Sequence, residues 1–170
     1  MQLVVRERTD ADLEQVIGLL AASFAHDKYP TRWPASPADF LTPASMFGSW
    51  VVTPAEQPDL VLGHMVLVPV TVESGPETEA EVSRLMTHRQ YRGSGMGKAL
   101  LNHAVLWAQQ HKRRLSLQVV EGTSAVGFYE SSSWQYLDTV DAYWVLDDGT
   151  RPRMRRYQAP LRLNENVTVQ

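Results

Sequence analysis

Apolar residues recur along this chain at two spacings, every second position or every third to fourth. The changes between the two mark out the elements. Leu3–Glu7 reads as a first strand. Thr9-Asp10-Ala11-Asp12 has the form of a capping box with an acidic closing residue, and Leu13, Val16, Ile17, Leu20 and Phe24 follow at helical spacing. That stripe predicts a helix with its apolar side on the core. Residues 26–43 break the rhythm, with prolines at 30, 34, 37 and 43, which forbids a long helix. Ser36-Pro37-Ala38-Asp39 is suited to capping a short one.

Period two returns at 45–53 and 60–70, two strand-like runs joined by the turn-rich PAEQPD, with Gly63-His64 marking a bulge or a close backbone approach. Glu73, Glu77 and Glu79 belong to the crossing that follows, either as a solvated loop or to meet a cationic substrate. Residues 81–87 form a half-buried strand with Val82, Leu85 and Met86 as its apolar members. A glycine-bearing turn then opens a helix carrying Met96, Leu100, Ala104, Trp107 and Ala108 at helical spacing. Leu115, Leu117 and Val119 alternate as another strand, 123–131 is a short helix, and 143–146 runs into the hairpin signal Asp148-Gly149. Arg151, Arg153 and Arg155 alternate beyond it as surface charge, and 159–170 reads as a loose tail. The order predicts a single α/β layered domain over 1–170, with a mixed central sheet flanked by helices.

Composition narrows the function. A chain of 170 residues supports one domain with a real core. A net charge of −3 argues against a general nucleic-acid binder and gives no case for an anionic membrane surface. With no cysteine, disulfides, thiolate metal sites and an acyl-cysteine intermediate are excluded. The start MQLVVRERTD is no signal peptide and no stretch approaches a membrane span, so a reducing cytoplasm is the default location. The histidines at 26, 64, 88, 103 and 111 show no metal-ligand spacing, and no metal is expected.

The candidate chemistry centres on Arg92-Gly93-Ser94-Gly95-Met96-Gly97-Lys98. Glycines between a strand and a helix allow a sharp turn and remove side chains that would hold a ligand off. The N–H groups at the helix start then face an anion, most naturally a phosphate. A dinucleotide fingerprint would put its third glycine on Lys98, and a P-loop would need a hydroxyl at Ala99 and a glycine at Arg92. Both fail, and a glycine turn without a ligand stays as the plain alternative. Arg92-x-x-Gly95-x-Gly97, preceded by Gln90, resembles the Q/R-x-x-G-x-G/A coenzyme A loop of the GNAT superfamily of acyl-CoA-dependent N-acetyltransferases. A second family motif, N-x-x-A-x-x-F/L-Y-x-x-x-G-F, is matched in register by Ala125, Phe128, Tyr129 and Trp134, with Gly122 in place of the asparagine and Ser133 in place of the glycine. The resemblance extends over roughly 3–158 and is specific from about 80 to 137.

The resemblance implies acetyl-CoA as acyl donor and direct attack by an amine in a ternary complex. It places the pyrophosphate on Arg92 to Lys98 and the acyl-pantetheine arm on the main chain of Met86 and Thr87. It makes Tyr129 the general acid for the leaving thiolate, or else a packed aromatic. It makes Glu81 the general base, or else a solvated strand-end carboxylate, water chains being a further route. Tyr29, Trp33 and Phe40 either wall an acceptor cleft or cap the core. The expected acceptor is a small-molecule primary amine. A protein lysine or N-terminal amine is the competitor, and a non-catalytic acyl-CoA sensor or scaffold the alternative from another class. A homodimer is left open.

Overall fold

The computed structural model describes residues 1–70 and 79–160. The crossing with Glu73 and Glu77, and the tail from 161 onward, lie outside the described residues. Seven strands form one mixed sheet flanked by helices. The elements run β1 (Leu3–Glu7), α1 (Leu13–Asp27), α2 (Pro37–Leu41), β2 (Gly48–Pro54), β3 (Gly63–Pro69), β4 (Glu79–Thr87), α3 (Met96–Gln110), β5 (Arg114–Val120), α4 (Ser124–Ser131), β6 (Gln135–Asp141) and β7 (Arg153–Gln158). The backbone divides into two compact units, Met1–Pro69 with Val82–Ala104, and Val70–Glu81 with Val105–Gln170.

In the first unit β1 pairs antiparallel with β2, and β2 with β3. The predicted capping box forms. The Asp12 carboxylate accepts from the Thr9 N–H at 2.7 Å and from its hydroxyl at 3.0 Å, and one 3-10 turn leads into α1. Val16, Leu19 and Leu20 of α1 bury with Leu41, Val51, Val61 and Met86 as one cluster, against which Leu13, Ile17, Tyr29 and Phe40 pack. Phe24, expected on that stripe, is exposed instead and rests against Trp33 at 5.5 Å between rings. The helix face is turned so that Leu19 and Ser23 take the inward places. Gly63 is a close approach, as its sequence context predicts. A Cβ there would meet Val52 Cγ1 at 2.9 Å and the Met86 carbonyl at 3.0 Å.

Of the apolar members expected in strand β4, Val82 and Met86 are buried, with Ala80 beside them, whereas Leu85 is only half-buried. The cause is Arg84, whose φ of 52° puts a left-handed residue inside the strand. Its carbonyl accepts from Nδ1 of the fully buried His64 at 3.2 Å, and its own Nε donates to the Phe40 carbonyl at 2.9 Å. Arg8 approaches the other ring nitrogen of His64 at 3.4 Å. Burial, then the Arg8 charge, push the His64 imidazole down to about 3, so it is neutral.

In the second unit β7 pairs antiparallel with both β5 and β6. Leu115, Leu117, Val119, Tyr129, Trp134, Met154 and Tyr157 are buried there. The strand predicted at 143–146 is instead part of the connection after β6, because Arg151 Nη1 donates to the Ala142 and Tyr143 carbonyls and curls the chain there. Among the alternating arginines, Arg155 is not plain surface charge. It donates to Tyr157 Oη at 2.9 Å, pairs with Glu130 at 3.2 Å and covers the Tyr136 ring at 4.2 Å.

Two buried groups, Asp12 and His64, make part of the stability sensitive to acid. Arg6 grips Asp12 with two bonds of 2.8 Å, which with the Thr9 bonds lowers that carboxyl from 3.8 to about 2. Both Asp12 and His64 bind protons less readily folded than unfolded, so stability must fall as pH falls. His64 acts between pH 6.5 and about 3, and Asp12 between 3.8 and about 2. The Asp12 step alone is expected to remove about 2 kcal/mol, read from urea midpoints against pH, and to be missing in Asp12→Asn.

Candidate functional site

The glycine turn is built by local bonds. After β4 a 3-10 turn at Arg89–Tyr91 brings the Arg92 N–H to the Arg89 carbonyl at 3.3 Å and the Ser94 N–H to the Tyr91 carbonyl at 3.2 Å. Gly93 and Gly95 both take φ of 85°, where a side chain is strained. A Cβ at either would meet nothing within 4 Å, so the space over this backbone is open. The Ala99 N–H bonds the Gly95 carbonyl at 2.9 Å, which leaves the N–H groups of Met96, Gly97 and Lys98 as the first turn of α3 without intrahelical acceptors. Met96 is buried to 2% exposure, so it offers the loop its main chain and gives its side chain to the core. An open backbone cradle at the positive end of a 15-residue helix fits a pyrophosphate.

Upstream, Met86 buries its side chain in the α1 and α2 cluster while Thr87 stays half-buried at the end of β4. The His88 N–H donates to the Leu62 carbonyl at 2.7 Å, its ring meets Tyr91 edge-on at 5.1 Å, and its Nδ1 is buried without a hydrogen-bond partner. Arg92 is held by Asp27, the last residue of α1, through Nη1 to Oδ1 at 3.1 Å and Nη2 to the second oxygen. That bond is the main cause that raises the guanidinium and lowers the carboxyl from their ordinary values. Tyr29 is half-buried on the core cluster and Trp33 is 38% exposed against Phe24. All these residues belong to the first unit.

Tyr129 and Glu81 belong to the second. Tyr129 is 8% exposed in α4, among the rings of Phe128 at 5.2 Å, Trp134 at 6.4 Å and Tyr157 at 6.2 Å. Glu81 is half-buried in β4 and its Oε2 accepts from the Gln118 amide at 3.0 Å. Its charge also acts on Arg156, which is raised mainly by its bond to Asp138.

Both departures from the second motif fall at left-handed backbone positions. Gly122 takes φ of 80° with open space at its Cβ position, a left-handed conformation that asparagine also tolerates. Ser133 takes φ of 64°, so the turn that a glycine would make is made by a strained serine. It is held because the Ser133 N–H bonds the Glu130 carbonyl at 3.3 Å and the Trp134 N–H bonds that of Tyr129 at 3.2 Å. Among the described residues no group of three His, Asp or Glu side chains comes together to hold a metal. No described helix is long and apolar enough to cross a membrane.

Comparison with known proteins bears on the fold and the family. An N-acetyltransferase from Staphylococcus aureus Mu50 superposes with a TM-score of 0.75 at 13% identity, covering 95% of this chain and 100% of that one. The ribosomal-protein-S18-alanine N-acetyltransferase from Escherichia coli gives 0.66 at 17% identity, covering 99% and 100%. Arabidopsis thaliana NAA60 in complex with acetyl-CoA gives 0.68 at 17% identity, covering 93% and 99%. At these identities the likeness establishes the fold. No curated protein matches the sequence significantly. The family profile described as acetyltransferase (GNAT) matches residues 13–133, which is most of the chain and contains the glycine loop, α3 and α4. The chain belongs to the GNAT acetyltransferase family.

Proposed function

We propose that the protein transfers the acetyl group of acetyl-CoA to the primary amine of a small molecule, by direct attack in a ternary complex. The observation that carries this reading is the open left-handed glycine turn at the start of α3, where Gly93 and Gly95 leave space over the backbone. Acetyl-CoA supplies the acyl group as a reactive thioester. Arg92 and the main chain from Gly93 to Lys98 bind its pyrophosphate, the partial charges of the helix start replacing water around the anion. The main-chain groups of Met86 and Thr87 hold the pantetheine arm and orient the thioester. Tyr129, desolvated among aromatic rings, gives its proton to the departing thiolate. Glu81 receives the proton that the attacking amine must lose, directly or through water. With no cysteine in the sequence, no acyl-enzyme on a thiol is available, which favours the direct route. In this reading the chain works as one acetyltransferase domain in the cytoplasm.

Trp33 and Phe24, partly exposed side by side, offer the acceptor an aromatic wall. Trp33→Ala should therefore raise the acceptor KM about tenfold, the effect of one truncated aromatic contact, and leave coenzyme affinity unchanged. A fall in melting temperature with KM unchanged would make Trp33 a packing residue instead.

The decisive experiment measures thiol release from acetyl-CoA against panels of small amines, polyamines, amino acids, aminoglycosides and peptides. Turnover of small amines supports the proposal. Turnover confined to peptides would give the acceptor as a protein N-terminus or lysine. Coenzyme binding with no turnover on any panel would make the protein an acyl-CoA sensor, a reading that Gly122 at the asparagine position favours.

A further inference from the structure

The arginine at the entry of the coenzyme loop already has a partner. Arg92 lies directly before Gly93, and its guanidinium is engaged by both oxygens of Asp27. A carboxylate that meets two guanidinium N–H groups in a fork uses the same edge that a phosphate uses. Asp27 is also poorly placed as a free anion. It is the last residue of α1, at the negative end of the helix, where a carboxylate is disfavoured. The Arg92 bond is the largest cause that keeps its carboxyl below the ordinary range, with the charges of Arg89 and His26 adding to it. Both partners are partly exposed, at 43% for the Arg92 side chain and 30% for that of Asp27, so an incoming anion can reach the pair. An ion pair this exposed is worth little net and is readily exchanged.

We infer that Asp27 is an internal competitor for the coenzyme's phosphate at Arg92, and that it sets the affinity and entry of acyl-CoA. In the free protein Asp27 occupies the guanidinium edge that the pyrophosphate takes. Coenzyme entry displaces it, and the freed carboxylate is left to the weaker fields of Arg89 and His26. Lys28 continues from Asp27 with a left-handed turn into the segment that carries Trp33, so phosphate capture and the proposed acceptor wall meet at one residue. The inference rests on acyl-CoA binding at the glycine loop, and it assigns Asp27 a role that acts through Arg92.

The test is calorimetry of coenzyme A and acetyl-CoA on the full chain, with wild type, Asp27→Asn, Arg92→Ala and the double variant. Asparagine keeps the shape and removes the charge. Asp27→Asn is expected to bind about fivefold tighter, because the carboxylate that competes for the Arg92 guanidinium is lost. Asp27→Ser should show the same gain, which guards against a folding effect of any single replacement. In the Arg92→Ala background the gain should vanish, since Asp27 then has nothing to compete for. Unchanged or weaker binding by Asp27→Asn and Asp27→Ser would overturn the inference, with weaker binding meaning that Asp27 orients Arg92 for the phosphate. A gain that persists without Arg92 would also overturn it, leaving only general charge repulsion. Failure of wild type itself to bind coenzyme is a separate result, which removes the acyltransferase reading and this inference together.

Discussion

Gly95→Asp is expected to weaken coenzyme binding by at least about 2 kcal/mol, roughly 30-fold or more, in a protein that still folds. Two effects act together. A side chain at Gly95 fills the open space over the backbone and keeps the phosphates out of it, while its strain at φ of 85°, about 1 kcal/mol or more, weighs on the fold with or without coenzyme. The new carboxylate then stands in the open space over the backbone, where the phosphates are proposed to lie, and repels them in a partly desolvated cradle. Nothing lies within 4 Å of the Cβ position, so the side chain itself has room and the folded core is not disturbed. Calorimetry with coenzyme A on the folded variant reads the effect, with Gly95→Ala as the control that carries the strain without the charge. An affinity equal to wild type would take this loop out of the coenzyme site.

The same loop shows why some of this protein was legible in its sequence. The glycine turn, the capping box and the helices on either side depend on neighbours a few residues apart, and such contacts leave local spacing in the chain. Gly63 was readable for the same reason, since a glycine inside a strand run points to a close approach. Strand β6 gave no such signal. It closes one edge of the sheet, is exposed along Gln135, Tyr136 and Leu137, and so has no face that demands alternation. The apolar run at 143–146 imitated a strand, yet Arg151 from beyond the turn determines its path.

Long-range polar contacts were the least visible. His64 joins Arg84, 20 residues away, and Arg8, 56 away, and only the fold brings these three together. Arg84 carries no mark of its left-handed backbone, because the groups it bonds there, the His64 ring at its carbonyl and the Phe40 carbonyl at its Nε, lie 20 and 44 residues away. Arg92 was legible as a motif residue, but Asp27 lies 65 residues from it, and no spacing announces that pair. The glycine turn is therefore a local feature of the sequence, whereas the Asp27 partner of Arg92 is visible only in three dimensions.

Tyr129→Phe is expected to lower kcat by about 10²-fold or more, towards the lower end of the effect of a positioned general acid, with the KM for acetyl-CoA little changed. The substitution removes one hydroxyl and keeps the ring that packs on Phe128, Trp134 and Tyr157, so the buried aromatic group should persist. The lower end is expected because a thiolate is a modest base, with an ordinary thiol value of about 8.5, and solvent can protonate it slowly. Glu81→Gln separates the two proton transfers. A lost base should be rescued in part at high pH, where the amine sheds its proton unaided, whereas a lost acid should not be. Pre-steady-state thiol release must first establish that chemistry limits turnover, since slow product release would hide the step. If Tyr129→Phe then turns over within about threefold of wild type at saturating substrates, the hydroxyl is a packing group's polar tip and the acid is solvent or another residue.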